Sequence, residues 1–201
     1  MSTNVDGREL TARGAATRAR LLEAAERVFA ELGYHEASIV KITEAAGVAQ
    51  GTFYLYFAGK QQVFDELVRD LNHRVRLAMK DASSRGETRL EAELLGFQAY
   101  FAFAAEHPAL YRIIRQAEFV SPAMLRYHYE RLSEGYVEAL REAVATGEVG
   151  AIDPEVVAWA LMGAGELIGM RWILWEGAAQ MPQEVLNELV RIVGSVLEAK
   201  R

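Results

Sequence analysis

Cysteine is missing from all 201 residues, and proline occurs only four times. Without thiols there is no disulfide framework, no thiolate nucleophile and no cysteine-based metal site. The four histidines, His35, His73, His107 and His128, form no paired ligand spacing on one helix, so neither a metal nor another cofactor is expected. The opening MSTNVDGREL lacks the apolar stretch of a secretory signal, which makes a cytoplasmic protein the expectation. Long apolar runs are scarce as well. The longest, Val156 to Trp175, is interrupted by Glu166 and Arg171 and contains Gly163, Ala164, Gly165 and Gly169. Two charges within such a span are costly in lipid, and no other span exists to share a bundle with it, so a buried helix is expected and no membrane partner. A phosphate-cradling glycine loop, a nucleophile elbow and a metal-binding doublet are all lacking, and nothing speaks positively for an enzyme.

What the chain does have is apolar content, 51% of its residues, enough to bury a full core. The apolar positions recur at helical spacing throughout, and no stretch alternates between turn residues as a strand would. Leu21, Leu22, Ala25, Val28, Phe29 and Leu32 follow one face of a first long helix that Gly33 ends. A helix from Lys60 to about Ser84 carries Val63, Phe64, Leu67, Leu71, Val75 and Ala78 as a stripe. Beyond the break at SSRGE, helices are expected over about Thr88 to Glu106, Pro108 to Val120, Pro122 to Thr146, Pro154 to Trp175 and Pro182 to Lys200. Each proline suits a first turn, where its missing N–H would have been unpaired anyway. The expected fold is all-α, with about nine helices.

Ser38 to Lys60, SIVKITEAAGVAQGTFYLYFAGK, reads as two short helices joined by a tight turn. Ser38 can cap the first with its hydroxyl, and Ile39, Ile42 and Ala46 share one face. Gly47 stops that helix, and Val48 can fold back onto the apolar face. The second helix is expected from about Ala49 to Phe57, with Phe53 and Phe57 in the core and a polar, aromatic outer surface. Gln50 can read an adenine edge bidentately, Thr52, Tyr54 and Tyr56 can donate to phosphate, and Gly51 lets backbone approach closely. Tyr56 suits packing and phosphate contact equally.

This segment resembles the helix-turn-helix of the TetR/AcrR family of bacterial transcriptional regulators. Its pattern of Ala-Ala-Gly-Val, then Gly-Thr-aromatic-Tyr, a variable residue, Tyr-Phe and a nearby Lys is matched by Ala45 to Lys60. The resemblance implies an N-terminal three-helix DNA-binding domain, residues 1–60, followed by a helical ligand-binding and dimerisation domain, residues 61–201. It turns Gln50, Gly51, Tyr54, Leu55 and Tyr56 toward DNA, with Ser38, Lys41, Thr52 and Lys60 near the backbone. Three positions depart from the pattern. Ala49 stands where a serine or threonine commonly caps, Lys41 where an acid often completes a capping box, and Gln50 where a basic residue is frequent.

A net charge of −6 fits poorly with DNA until it is divided along the chain. Residues 1–62 hold seven Lys/Arg and seven Asp/Glu, whereas residues 63–201 hold fifteen and twenty-one. The negative excess lies outside the motif, and Arg8, Arg13, Arg18 and Arg20 form either a basic arm toward phosphate or a solvated tail.

In the remaining two thirds, tyrosine, histidine and arginine on inward helix faces are costly unless hydrogen-bonded, so they suggest a partly polar cavity. Phe103, His107, Tyr111, Arg115, Tyr136 and Glu166 are the candidate ligand residues. Arg112, Arg115, Arg126 and Arg131 either serve an anionic group, such as a carboxylate or the phosphates of an acyl-coenzyme A, or pair with glutamates. Glu166 either meets a partner such as Arg171 or the surface, or serves as a ligand acceptor or dimer lock. The last two helices carry apolar stripes, including Val156, Leu161 and Leu167 on one and Leu186, Leu189 and Val193 on the other. These stripes, with Gly165 and Gly169 four apart, suggest a two-fold four-helix interface. The expected protein is a homodimeric, ligand-responsive DNA-binding regulator, most often a repressor in that family, which a small apolar or acyl-type effector releases from a palindromic operator. An all-helical enzyme and an interaction protein without DNA binding are the alternatives.

Overall fold

A computed structural model describes residue 5 and residues 7–198. Among them all regular elements are helical: α1 (Ala12–Glu36), α2 (Ile39–Ala46), α3 (Gln50–Phe53), α4 (Lys60–Ser83), α5 (Arg89–Glu106), α6 (Ala109–Val120), α7 (Pro122–Thr146), α8 (Pro154–Gly169), a π-helical segment (Met170–Trp175) and α9 (Gln183–Leu197). Side-chain caps fix several of the starts. Thr11, Ser38, Thr88 and Asp153 each accept a hydrogen bond from a first-turn N–H, a contribution of about 1 kcal/mol apiece. The expected end of the last helix at Lys200 lies outside the described residues.

Two of the expected helices are shorter. The second helix of the motif is α-helical only over Gln50–Phe53, and Tyr54 to Tyr56 continue as tight turns, with the Tyr56 N–H donating to the Phe53 carbonyl at 2.9 Å. Ala49 supplies no side-chain cap, so nothing fixes a longer helical start. The expected helix to Trp175 ends as α-helix at Gly169, and the chain widens into the π register. There the Glu176 N–H reaches the Arg171 carbonyl at 3.3 Å, and the same two side chains form an ion pair at 3.1 Å.

The chain forms two compact units. The first comprises the residues up to Leu71 together with Arg112–Arg126; the second comprises Asn72–Tyr111 and the residues from Tyr127 onward. Leu21 and Phe29 of α1, Ile42 of α2, Phe53, Phe57, and Phe64 and Leu67 of α4 are fully buried in the first unit. Burying side chains of this size stabilises by roughly 2–3 kcal/mol each.

In the second unit Phe97, Phe101, Tyr111, Leu140 and Leu161 share a core with Leu186, Leu189, Val193 and Leu197 of α9. This overturns the expectation that α9 keeps its apolar stripe for a partner subunit. Leu189 and Val193 are each only 1% exposed within their own chain. Gly165 and Gly169 are likewise spent within the chain. A Cβ on Gly165 would stand 2.7 Å from the Phe97 ring, and one on Gly169 would stand 2.0 Å from the Tyr111 hydroxyl. Their four-residue spacing admits α5 and α6 to the backbone of α8, not a second copy.

Candidate nucleic-acid interface and effector residues

The motif is built on α1, whose helical geometry breaks at Gly33 (φ 76°, ψ 164°). The Ser38 hydroxyl accepts from the Lys41 N–H at 3.2 Å and starts α2. Gly47 ends it in the left-handed region (φ 65°, ψ 39°), a conformation that costs an L side chain. The N–H of Val48 then reaches the Thr43 carbonyl at 3.0 Å, a six-residue closure that turns the chain into α3. Phe53 and Phe57 anchor the turn from beneath, with ring centroids 5.4 Å apart. The guanidinium of Arg18 lies 5.0 Å from the Phe57 ring centroid and is ion-paired with Glu66.

With these residues committed inward, the opposite face is left to solvent. Gln50 and Gly51 are exposed, Tyr54 and Leu55 are 48% and 60% exposed, and Thr52 and Tyr56 are half-buried. Gln50, Thr52, Tyr54 and Tyr56 make no side-chain hydrogen bond among the described residues. An amide, a hydroxyl and two phenols therefore stand ready on one short surface beside an exposed leucine, a set able to meet base edges, thymine methyls and phosphates.

The two lysines are engaged differently. The Lys41 ammonium donates to the Glu36 carbonyl at 3.0 Å, at the end of α1. The Lys60 ammonium donates to the carbonyls of Tyr34 at 2.7 Å and Ala37 at 2.9 Å, and sits 4.3 Å from the Tyr34 ring centroid. Both lysines thus neutralise carbonyls where α1 ends, and Lys60 ties α4 to that end. Sequence reasoning missed two residues with a related task. The Arg112 guanidinium donates to the Ala30 carbonyl at 3.0 Å, and the Gln116 amide oxygen accepts from the Tyr34 N–H at 2.5 Å. Nothing in the local sequence around Gln116 marks it, because its partners lie 82 residues earlier.

The six candidate effector residues do not converge. Phe103 stacks obliquely on His107, centroids 4.5 Å apart, and the Arg74 guanidinium lies 3.1 Å from His107 Nδ1. Tyr111 is buried beside Tyr100, and its hydroxyl has no hydrogen-bond partner among the described residues; burial pushes its pKa up. Tyr136 bonds to buried Glu93. Arg115 is exposed and belongs to the first unit, whereas the other five belong to the second. Glu166 does not pair with Arg171, which is held by Glu176; its two oxygens accept from the Tyr129 hydroxyl at 2.9 and 2.8 Å.

The chain is similar to known regulators over most of its length. A family model described as "Bacterial regulatory proteins, tetR family" matches residues 21–67, which include the whole helix-turn-helix. An uncharacterised HTH-type transcriptional regulator of Bacillus subtilis (strain 168), YdgC, is 30% identical over 194 residues, spanning 90% of this chain and 94% of the relative. The fatty acid metabolism regulator protein of the same organism is 29% identical over 161 residues, 71% of this chain and 82% of that one. Among solved structures, the Bacillus subtilis transcriptional regulator FadR in complex with stearoyl-CoA superposes with a TM-score of 0.78. It is 22% identical and covers 90% of this chain and 99% of that one.

Proposed function

The chain belongs to the TetR family of bacterial transcriptional regulators, and from that premise we propose how it works: as a cytoplasmic repressor that leaves a roughly palindromic operator when a small apolar or acyl-type effector binds its second unit. The observation that carries the DNA-binding part is the exposed Gln50, Tyr54 and Leu55 surface held on a buried Phe53–Phe57 anchor. In the major groove, Gln50 reads a base edge, while Thr52, Tyr54 and Tyr56 hold phosphate and Gly51 permits close approach. Ser38 and Lys41 stand at the start of α2, where free N–H groups favour an anion. Lys60 braces the motif.

Two copies are needed to read a palindrome. The surface that supports a dimer is on α8, where Val156, Trp159 and Leu167 are 65%, 44% and 62% exposed, and Ala160 and Gly163 lie on the same face. A two-fold axis through that face reuses one patch twice and fixes the spacing of the recognition helices at about 34–36 Å or a multiple. The effector acts by preferring the form that fits successive grooves poorly, since equal affinity for both forms would shift nothing.

Fluorescence anisotropy on DNA from the promoter of its own or a neighbouring gene tests the reading. Tyr54→Ala lowers operator affinity about tenfold at moderate salt without altering helix content, as loss of one phosphate-directed hydrogen bond and its packing implies. Gln50→Ala changes the ranking of single-base operator variants by about 1–3 kcal/mol. A folded Tyr54→Ala protein that binds as tightly as the parent would remove this face from the DNA.

A further inference from the structure

The second unit encloses a cavity of about 570 Å³ between α4, the start of α5 and α7, within the size range of small-molecule sites. Only Tyr136 of the candidate effector residues lines it. We propose that this cavity is the effector site and that it takes an anionic amphiphile, with the acidic group at Arg76 and Lys80 and the apolar body against Met79 and Leu132; this rests on the reading of the chain as an effector-controlled regulator.

The charges carry the argument. Inside, the Glu93 carboxylate is only 2% exposed and is ion-paired with Arg89 at 3.1 Å, so that pair is internally neutral. Arg76 and Lys80, one turn apart on α4, have no carboxylate partner among the described residues, and Glu142 on α7 is the only other charged side chain on the wall. The lining therefore carries one net positive charge in a chain of net charge −6. Two adjacent unpaired cations above an apolar wall attract an anion and leave no charged group for its tail to desolvate. The deep end offers hydrogen-bonding groups at Tyr136 and Glu93.

A glycine keeps the room open. Gly135 lies within α7 with an ordinary helical backbone, and a Cβ there would meet nothing within 4 Å. Glycine costs about 1 kcal/mol relative to alanine inside a helix, yet neither strain nor a close neighbour requires it. The absent side chain leaves that stretch of wall free for a ligand.

The anion could be a free carboxylate or the phosphates of an acyl-coenzyme A, so the probes are decanoate, decanoyl-coenzyme A and the neutral analogue decanol. Each is titrated calorimetrically into the full chain after delipidation, with operator binding measured alongside. At least one anion is expected to bind, with Arg76→Ala/Lys80→Ala weakening it tenfold or more while decanol is unaffected. Gly135→Phe, which fills the cavity without a steric conflict, should abolish binding of all three and leave operator affinity intact. Binding of decanoate alone assigns the anion as carboxylate, and binding of the thioester alone assigns it as phosphate. Anion binding undiminished in both variants, or no anion binding at all, overturns the site. Operator release that persists in both variants would overturn the site but keep the regulator reading, whereas cavity binding without any operator release would do the reverse.

Discussion

Replacing Gly169 with alanine gives the sharpest test of how the second unit is assembled. The new methyl carbon would stand 2.0 Å from the Tyr111 hydroxyl oxygen and 3.2 Å from two carbons of the Phe101 ring. Tyr111 is 3% and Phe101 1% exposed, so neither can swing into solvent. Overpacking of this kind costs about 1–3 kcal/mol, and the helix preference of alanine offsets about 0.5–1 of it. The net loss of about 1–2 kcal/mol corresponds to a fall in Tm of roughly 2–8 °C for a chain of this length. Tyr111→Phe alone should be neutral or slightly stabilising, because it removes a buried hydroxyl that has no hydrogen-bond partner among the described residues. It also removes the atom nearest the added methyl. The double variant should therefore recover most of the loss, leaving a coupling of about 1–2 kcal/mol in a double-mutant cycle measured by urea unfolding. If Gly169→Ala unfolds like the parent and only raises the dimer dissociation constant, the glycine faces a second subunit and the internal contact is wrong. If the double variant is no better than Gly169→Ala, the hydroxyl is not the obstacle.

Other expectations can be checked with the same tools. Lys60→Met should destabilise the protein by about 1–2 kcal/mol, since it strips a cation from the carbonyls of Tyr34 and Ala37; weakened operator binding at unchanged stability would instead put Lys60 on phosphate. Leu167→Glu should give folded monomers in sedimentation and lose operator binding, whereas Leu189→Glu should fail to fold, because Leu167 is 62% exposed and Leu189 only 1%. A Leu167→Glu protein that stays dimeric would move the interface off this face of α8. Burial lowers the pKa of His128 to about 4, below its unfolded value of about 6.5. Its contribution, about 3 kcal/mol, is therefore complete above pH 6.5 and is lost as the pH falls toward 4, as the unfolded chain takes up the proton first. His128→Gln should flatten the acid limb of the stability profile by that amount; an unchanged limb would show that another group titrates there.

Most of the secondary structure was determined locally. Ser38, Gly47 and the apolar spacing of Ile42 and Ala46 are sufficient to start, stop and orient α2, since caps and the left-handed turn depend on neighbours within a few residues. The same holds for the prolines at the helix starts and for the inward Phe53 and Phe57. The family resemblance of Ala45 to Lys60 was legible for the same reason: the recognition surface is a short continuous stretch.

What only the tertiary structure decided is where an apolar or charged face ends up. A stripe such as Leu186, Leu189 and Val193 has the same spacing whether it faces its own core or a partner, and the folded chain assigns it to the core. Gly165 and Gly169 have the spacing of a helix crossing in either case, but the ring of Phe97 and the hydroxyl of Tyr111 already occupy their faces. Lys60 reads as a phosphate ligand until three carbonyls some 25 residues earlier are seen to surround it. Phe103, His107, Tyr111, Tyr136 and Glu166 share a chemistry suited to a pocket, yet the wall that pairs Arg76 and Lys80 with Gly135 is assembled from helices more than fifty residues apart. Helical periodicity gives each residue a direction within its own helix; which neighbour waits in that direction depends on contacts between helices, and those are set by the whole chain at once.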